Sequence, residues 1–311
     1  MAVKRGVLLA LLLLAACAQL PGAQQQKETA GTDQFRVGTE GMRMSFLTNL
    51  PPNRIFDTES LSMVLEIENR GTSRVGGPGD LVFISGFDPS IVTGIPTNGQ
   101  RIPELQPRDQ FTSQGGIDQV SFTGRPQLLK AKGIDRYPAR LQATLCYNYR
   151  TVASANVCLD PNPFSATVQQ KVCTPASVSL GGGQGAPVAV NVVEVDPALG
   201  KTRFRIRVQN VGGGEVFKPA ALNKCSPFSE GLKFDEIDYV KVLKVNTQNK
   251  NLKCNPLVDG GHLRLTGGQG TLFCEVDGLT GTAAFVSPLV IELEYGYRQT
   301  LLKSVDIVPA S

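Results

Sequence analysis

From Met42 onward, apolar and polar residues alternate in short runs of period two, the pattern of half-buried strands. Met44 and Phe46 predict a first strand, closed by Pro51-Pro52-Asn53. Met63, Leu65 and Ile67 point to one face of the next, with Val64, Glu66 and Glu68 on the other. Leu81–Ile84 and Ile117–Thr123 are further strands, separated by a corner in which Asp88 caps Pro89-Ser90 and by a polar loop reaching Gly116. Leu141, Ala143, Leu145, Tyr147 and Tyr149 line one face of a long strand. Arg150–Ala153 is expected to turn the chain, and Ala155, Val157 and Leu159 to return as a hairpin. A second series begins at Val188, Val190 and Val192 and continues with Phe204, Ile206 and Val208, then Ile237–Leu243. Leu263 and Leu265 are tied to Leu272–Cys274 through Gly267–Gly270, and the series ends in a hairpin from Leu289 to Tyr297 and back through Ile307. No helix-length period appears after Cys17.

The two series are copies. Leu61–Val75 and Thr202–Val216 each run as an alternating strand into Asn-x-Gly (Asn69-Arg70-Gly71, Asn210-Val211-Gly212), with a Val six residues after the Asn, at an offset of 141. Leu145-Cys146-Tyr147-Asn148-Tyr149-Arg150 matches Leu293-Glu294-Tyr295-Gly296-Tyr297-Arg298 at an offset of 148, and both copies later reach a Pro, Pro161 and Pro309. A tandem duplication explains both motifs. The expectation is an all-β chain of two tandem β-sandwich domains, 42–176 and 186–311, joined by a Gly-rich link over 177–185.

Composition agrees. With 311 residues, 33 Gly, 20 Pro and 19% charged residues, the chain is globular and turn-rich. Its net charge of +4 is scattered, with no basic run, which argues against nucleic acid as a partner.

Lys4 and Arg5 precede a ten-residue apolar run, Val7–Ala16, too short to span a bilayer and fitted to a signal peptide over 1–16. The run ends in Leu14-Ala15-Ala16-Cys17, which resembles the lipobox of bacterial-type lipoproteins. That resemblance implies cleavage before Cys17, acylation of Cys17 and a membrane partner held through lipid. The alternative is ordinary signal cleavage after Ala18 or Ala23. Residues 17–41 then form a polar tether, reaching about 25–30 Å. The strand followed by Asn-x-Gly resembles Ig-like domains of microbial surface proteins, notably the CARDB type linked to cell adhesion, and implies a stalk, adhesin or ligand-presenting module.

Six further cysteines, Cys146, Cys158, Cys173, Cys225, Cys254 and Cys274, follow the export signal, an even number that argues for disulfides. Cys146 and Cys158 lie on one face of the expected hairpin and are replaced together in the second copy by Glu294 and Asp306, so they are expected to bond to each other. Cys173 is then expected to pair with one of Cys225, Cys254 or Cys274.

No catalytic, cofactor-binding or metal-binding set emerges. His262, the one histidine, stands in a turn outside any nucleophile or zinc motif. Asp235, Glu236 and Asp238 lack the oxygen spacing of a calcium loop. Gly181–Gly183 and Gly212–Gly214 lack the Lys-Ser/Thr of a phosphate loop. The paired tyrosines are expected in the core, and Arg203, Arg205 and Arg207 form one solvated strand face able to meet anionic lipid or glycan. The functional expectation is a lipid-anchored extracytoplasmic protein that is structural, adhesive or binding rather than enzymatic, with another surface protein or a glycan as partner. The alternatives are a subunit of a surface filament or envelope complex assembling through strand edges, and a secreted enzyme of unrecognised type.

Overall fold

The structure, a computed structural model, describes residues 35–165, 171–181 and 183–310. The expected signal peptide, Cys17 and residues 18–34 of the tether lie outside the described residues. In chain order the strands are β1 Met42–Phe46, β2 Arg54–Phe56, β3 Leu61–Asn69, β4 Leu81–Ser85, β5 Val92–Thr93, β6 Gln100–Arg101, β7 Ile117–Pro126, β8 Tyr137–Leu159 and β9 Val178–Ser179. They continue with β10 Val188–Ala198, β11 Lys201–Asn210, β12 Glu215–Phe217, β13 Tyr239–Thr247, β14 Lys250–Asn251, β15 Lys253–Asn255, β16 His262–Arg264, β17 Gln269–Asp277 and β18 Phe285–Val308. Among the described residues helix is confined to two short 3-10 segments, Lys130–Lys132 and Pro219–Lys224. The chain is all-β, as the alternation predicts.

Three sheets share one core. A four-stranded sheet runs β1-β3-β7-β5, and a five-stranded sheet runs β15-β17-β11-β10-β9. A nine-stranded sheet runs β14-β13-β18-β8-β4-β6, with β12 and β2 on β18 and β16 on β13. In β3 every second residue from Leu61 is buried, and in β11 Phe204, Ile206 and Val208 are buried between exposed arginines. Equivalent strands therefore occupy equivalent places, β1-β3 in one small sheet and β10-β11 in the other.

Neither expected hairpin forms. β8 is a single strand of 23 residues and β18 one of 24, each roughly 75–80 Å long. The physical reason lies in Arg150-Thr151-Val152-Ala153, which holds no Gly, Pro, Asn or Asp and has two β-branched residues that favour extension. The buried face passes through it unbroken, from Leu141 past Thr151 and Ala153 to Leu159. β8 and β18 pair antiparallel over the whole of β8, from Tyr137↔Ile307 to Leu159↔Phe285, with Asn148↔Gly296 at the middle. Because Gly296 is also the repeat counterpart of Asn148, a pseudo-twofold axis passes through that pair.

This symmetry exchanges strands between the repeats. The end of β18 lies with first-repeat elements: Asp306–Val308 pairs in parallel with Arg54–Phe56, and Asp57 accepts the Ala310 N–H at 2.9 Å. The far half of β8 lies with second-repeat elements: the Thr151 hydroxyl donates to the Val188 carbonyl at 2.6 Å. Each lobe of the core thus contains half of the other repeat's long strand, and residues 177–185 separate the repeats in sequence while the large sheet runs across both.

The straight β8 also overturns the expected cysteine pairing. Cys146 and Cys158 are twelve residues apart on one strand, about 40 Å, where a disulfide requires Cα atoms within about 7 Å. Cys146 instead bonds Cys225 across the outer face of the large sheet, with Cα atoms 6.0 Å apart. Cys158 takes Cys173, and Cys254 bonds its cross-strand neighbour Cys274. Cys173 therefore ties back to β8 rather than to the second repeat's own cysteines. The replacements Glu294 and Asp306 act separately, in ion pairs with Arg150 and Arg136. Three disulfides mark an oxidising, extracytoplasmic environment.

Candidate functional site

The repeated motifs turn out to build the centre of the molecule. Tyr147, Tyr149, Tyr295 and Tyr297 form a buried cluster across the pseudo-axis, with ring centroids 5.8–6.3 Å apart. Their hydroxyls hold loops. Tyr149 accepts the Ser73 N–H and donates to the Gly185 carbonyl, both at 3.2 Å. Tyr297 accepts the Gly214 N–H at 2.8 Å and donates to Asn210 Oδ1 at 3.2 Å. Tyr147 accepts the Met42 N–H, and Tyr295 accepts the Val188 N–H beside Thr151. Burial pushes all four phenols up, Tyr297 to about 12. At neutral pH they are fixed hydrogen-bonding groups of the core, with no face open for stacking.

Asn-x-Gly works with them. Asn69 Nδ2 donates to the Ser73 carbonyl at 2.8 Å, and Asn210 Nδ2 to the Gly214 carbonyl at 2.9 Å, the same four-residue clamp in each copy. Neither Gly71 nor Gly212 adopts a positive φ; the requirement is close approach. A Cβ on Gly71 would fall 1.8 Å from the Tyr149 hydroxyl, and one on Gly212 2.3 Å from the Tyr297 hydroxyl.

The remaining candidates scatter. His262 is half-exposed, its Nδ1 2.8 Å from the Asp259 carbonyl oxygen, while the Asp259 carboxylate pairs with Lys218. Glu236 pairs with Lys224, which holds its carboxyl below the usual range, and it accepts the Lys233 N–H. It therefore does not converge with Asp235 and Asp238 on a cation. Among the described residues no group of three His, Cys, Asp or Glu side chains is placed to hold a metal. A cavity of about 590 Å³ lies over the pseudo-axis on the outer face, lined by Gly76–Asp80, Asn148, Arg150 and Glu294. Asp80 is spent there on the Gly76, Gly77 and Asn148 N–H groups.

The arginine face leads to the larger feature, an open groove of about 970 Å³ on the outer side of the five-stranded sheet. The register lays two rows of side chains across four strands. One is Glu194, Arg205, Phe273 and Asn255; the next is Asp196, Arg203, Glu275 and Lys253. Arg205 pairs with Glu194 at 2.9 Å and lies 5.5 Å from the Phe273 ring centre. Arg203 pairs with Glu275 at 3.1 Å and Asp196 at 3.6 Å, and Arg207 with Glu194 at 2.7 Å. Lys201 and then Arg203 hold the Glu275 carboxyl below its usual range. The Cys254–Cys274 bond pins β15, the edge strand carrying Asn255 and Lys253, to the floor. Sequence reading found the arginines but not their partners, because the period-two signal names a strand's outward residues without naming the strand beside it. Compared with known proteins, the chain matches no family model and no curated protein sequence.

Proposed function

We propose that this is an exported, lipid-anchored surface protein without catalytic activity, a tandem duplication of an Ig-like unit resembling the CARDB adhesion type, that acts as a structural and binding module. The observation carrying this reading is the set of three disulfides, since such bonds persist chiefly where thiols are not kept reduced, and the expected signal peptide over 1–16 agrees with it. Among the described residues no helix is long and apolar enough to cross a membrane. The attachment is assigned to Cys17 on its lipobox-like Leu14-Ala15-Ala16-Cys17, where several acyl chains would add about 0.8 kcal/mol per buried CH₂. The full-length pairing of β8 with β18 supports a stiff body that stands off a surface. Intact mass of the membrane-associated protein tests the reading. Acyl mass on a chain beginning at Cys17, with two hydrogens gained per bond on reduction, is expected. An unacylated chain beginning after Ala18 or Ala23 contradicts it.

A further inference from the structure

The groove on the five-stranded sheet, about 970 Å³, has polar groups converging on it. Its floor is a sheet, so its geometry is rigid; three strand spacings give it a width of about 14 Å. Its volume lies within the range of small-ligand sites. Three features constrain the occupant.

The first is charge. Arg203 and Arg205 are each already held by carboxylates at 2.9–3.6 Å, so an anionic ligand would have to displace Glu194, Asp196 or Glu275. The second is the single aromatic plate. Phe273 is 51% exposed although it sits mid-sheet, flanked by Arg205 and Asn255. A wholly apolar ligand would find one ring in a field of charged groups and would strip water from the rest. The third is donor and acceptor geometry. Carboxylates accept pairs of hydroxyls and guanidinium forks donate pairs of N–H groups, and here both are preset by ion pairs rather than by the ligand.

A ligand with an apolar C–H face and hydroxyls around its rim meets all three. We infer that this groove binds a neutral oligosaccharide, with a sugar ring on Phe273 and hydroxyls bonded to Glu194, Arg205, Glu275 and Asn255. Side chains of one sheet face hold it, and the Cys254–Cys274 bond keeps the β15 wall in place. The inference deepens the binding role proposed above but does not depend on the lipid anchor, so the mass measurement and the binding measurement fail separately.

The test is calorimetric titration of the exported protein, disulfides intact, with neutral hexasaccharides (β-1,4-glucan, β-1,4-N-acetylglucosamine and α-1,6-mannan types) and with a heparin hexasaccharide as the anionic control. Saturable binding of a neutral hexasaccharide, little changed by salt, is expected. Phe273→Ala should weaken it by about tenfold, as for loss of one stacked ring. Phe234→Ala, an exposed ring outside the groove, should leave it unchanged. Amide shift mapping on the unsubstituted protein covers the case in which Phe273→Ala fails to fold, and should place the perturbed residues within 194–205, 250–255 and 273–277. No saturable binding of any neutral hexasaccharide, binding of heparin alone, shifts located elsewhere, or a folded Phe273→Ala protein with unchanged affinity would each overturn the inference.

Discussion

Tyr147 lies directly opposite Tyr297 on the β8–β18 ladder, ring centroids 5.8 Å apart, and two residues along Tyr149 lies opposite Tyr295. The two copies of one motif therefore meet each other across the ladder, and their hydroxyls fasten loops of both repeats. Tyr149→Phe would leave the Ser73 N–H without its phenol partner and remove one bond to Gly185. A loss of about 1–3 kcal/mol in urea unfolding is expected. Tyr297→Phe should cost less, because both of its partners, Asn210 and Gly214, are half-buried and water can replace the bonds, whereas the Gly185 carbonyl held by Tyr149 is buried.

The glycines of Asn-x-Gly offer a sharper comparison. Gly71→Ala and Gly212→Ala drive a methyl into a tyrosine hydroxyl, and each is expected to lose about 1–3 kcal/mol or more. Gly213→Ala, where a methyl meets nothing within 4 Å, should change stability little. Thermal midpoints of the three variants decide whether space or turn conformation selects these residues.

Asp57 joins the chain end to the first lobe. Its carboxylate accepts the Ala310 and Leu129 N–H groups at 2.9 and 2.8 Å, and these bonds hold its pKa below the ordinary 3.8. A depressed folded value means the stabilisation is complete above 3.8 and is lost as pH falls through the lower folded value. Asp57→Asn should therefore be less stable than the parent at neutral pH, with the difference shrinking below pH 3.8. Urea midpoints measured from pH 2 to 7 read this directly.

The disulfides differ in the length of chain they close. Cys146–Cys225 spans 79 residues, against 15 and 20 for the other two. Chain-entropy arguments give about 4–5 kcal/mol for the first and about 3 kcal/mol for each of the others. Serine pairs at each bridge, compared by denaturant unfolding, should show the Cys146/Cys225 variant to be the least stable.

The strands were legible because burial on one face writes itself into alternate residues: Met63, Leu65 and Ile67, and again Phe204, Ile206 and Val208. The role of Asn69 and Asn210 was half legible, since the motif marked a loop but not the tyrosine it grips. The exchange of β8 and β18 is hard to read at Arg150–Ala153, where only the lack of a turn residue separates one straight strand from a hairpin of ordinary length. The expected Cys146–Cys158 pair depends on that hairpin and fails with it. The groove was out of reach because Glu194, Arg205, Phe273 and Asn255 become neighbours only through sheet register.

The central claim is that neither repeat completes its own core. A protease site placed between Ser165 and Lys171 tests it, with cleavage followed by reduction and size-exclusion chromatography without denaturant. The two fragments should elute together as one folded body, because β8 and β18 remain paired along their length. Elution as two separate fragments, each with a cooperative unfolding transition of its own, would contradict the exchange.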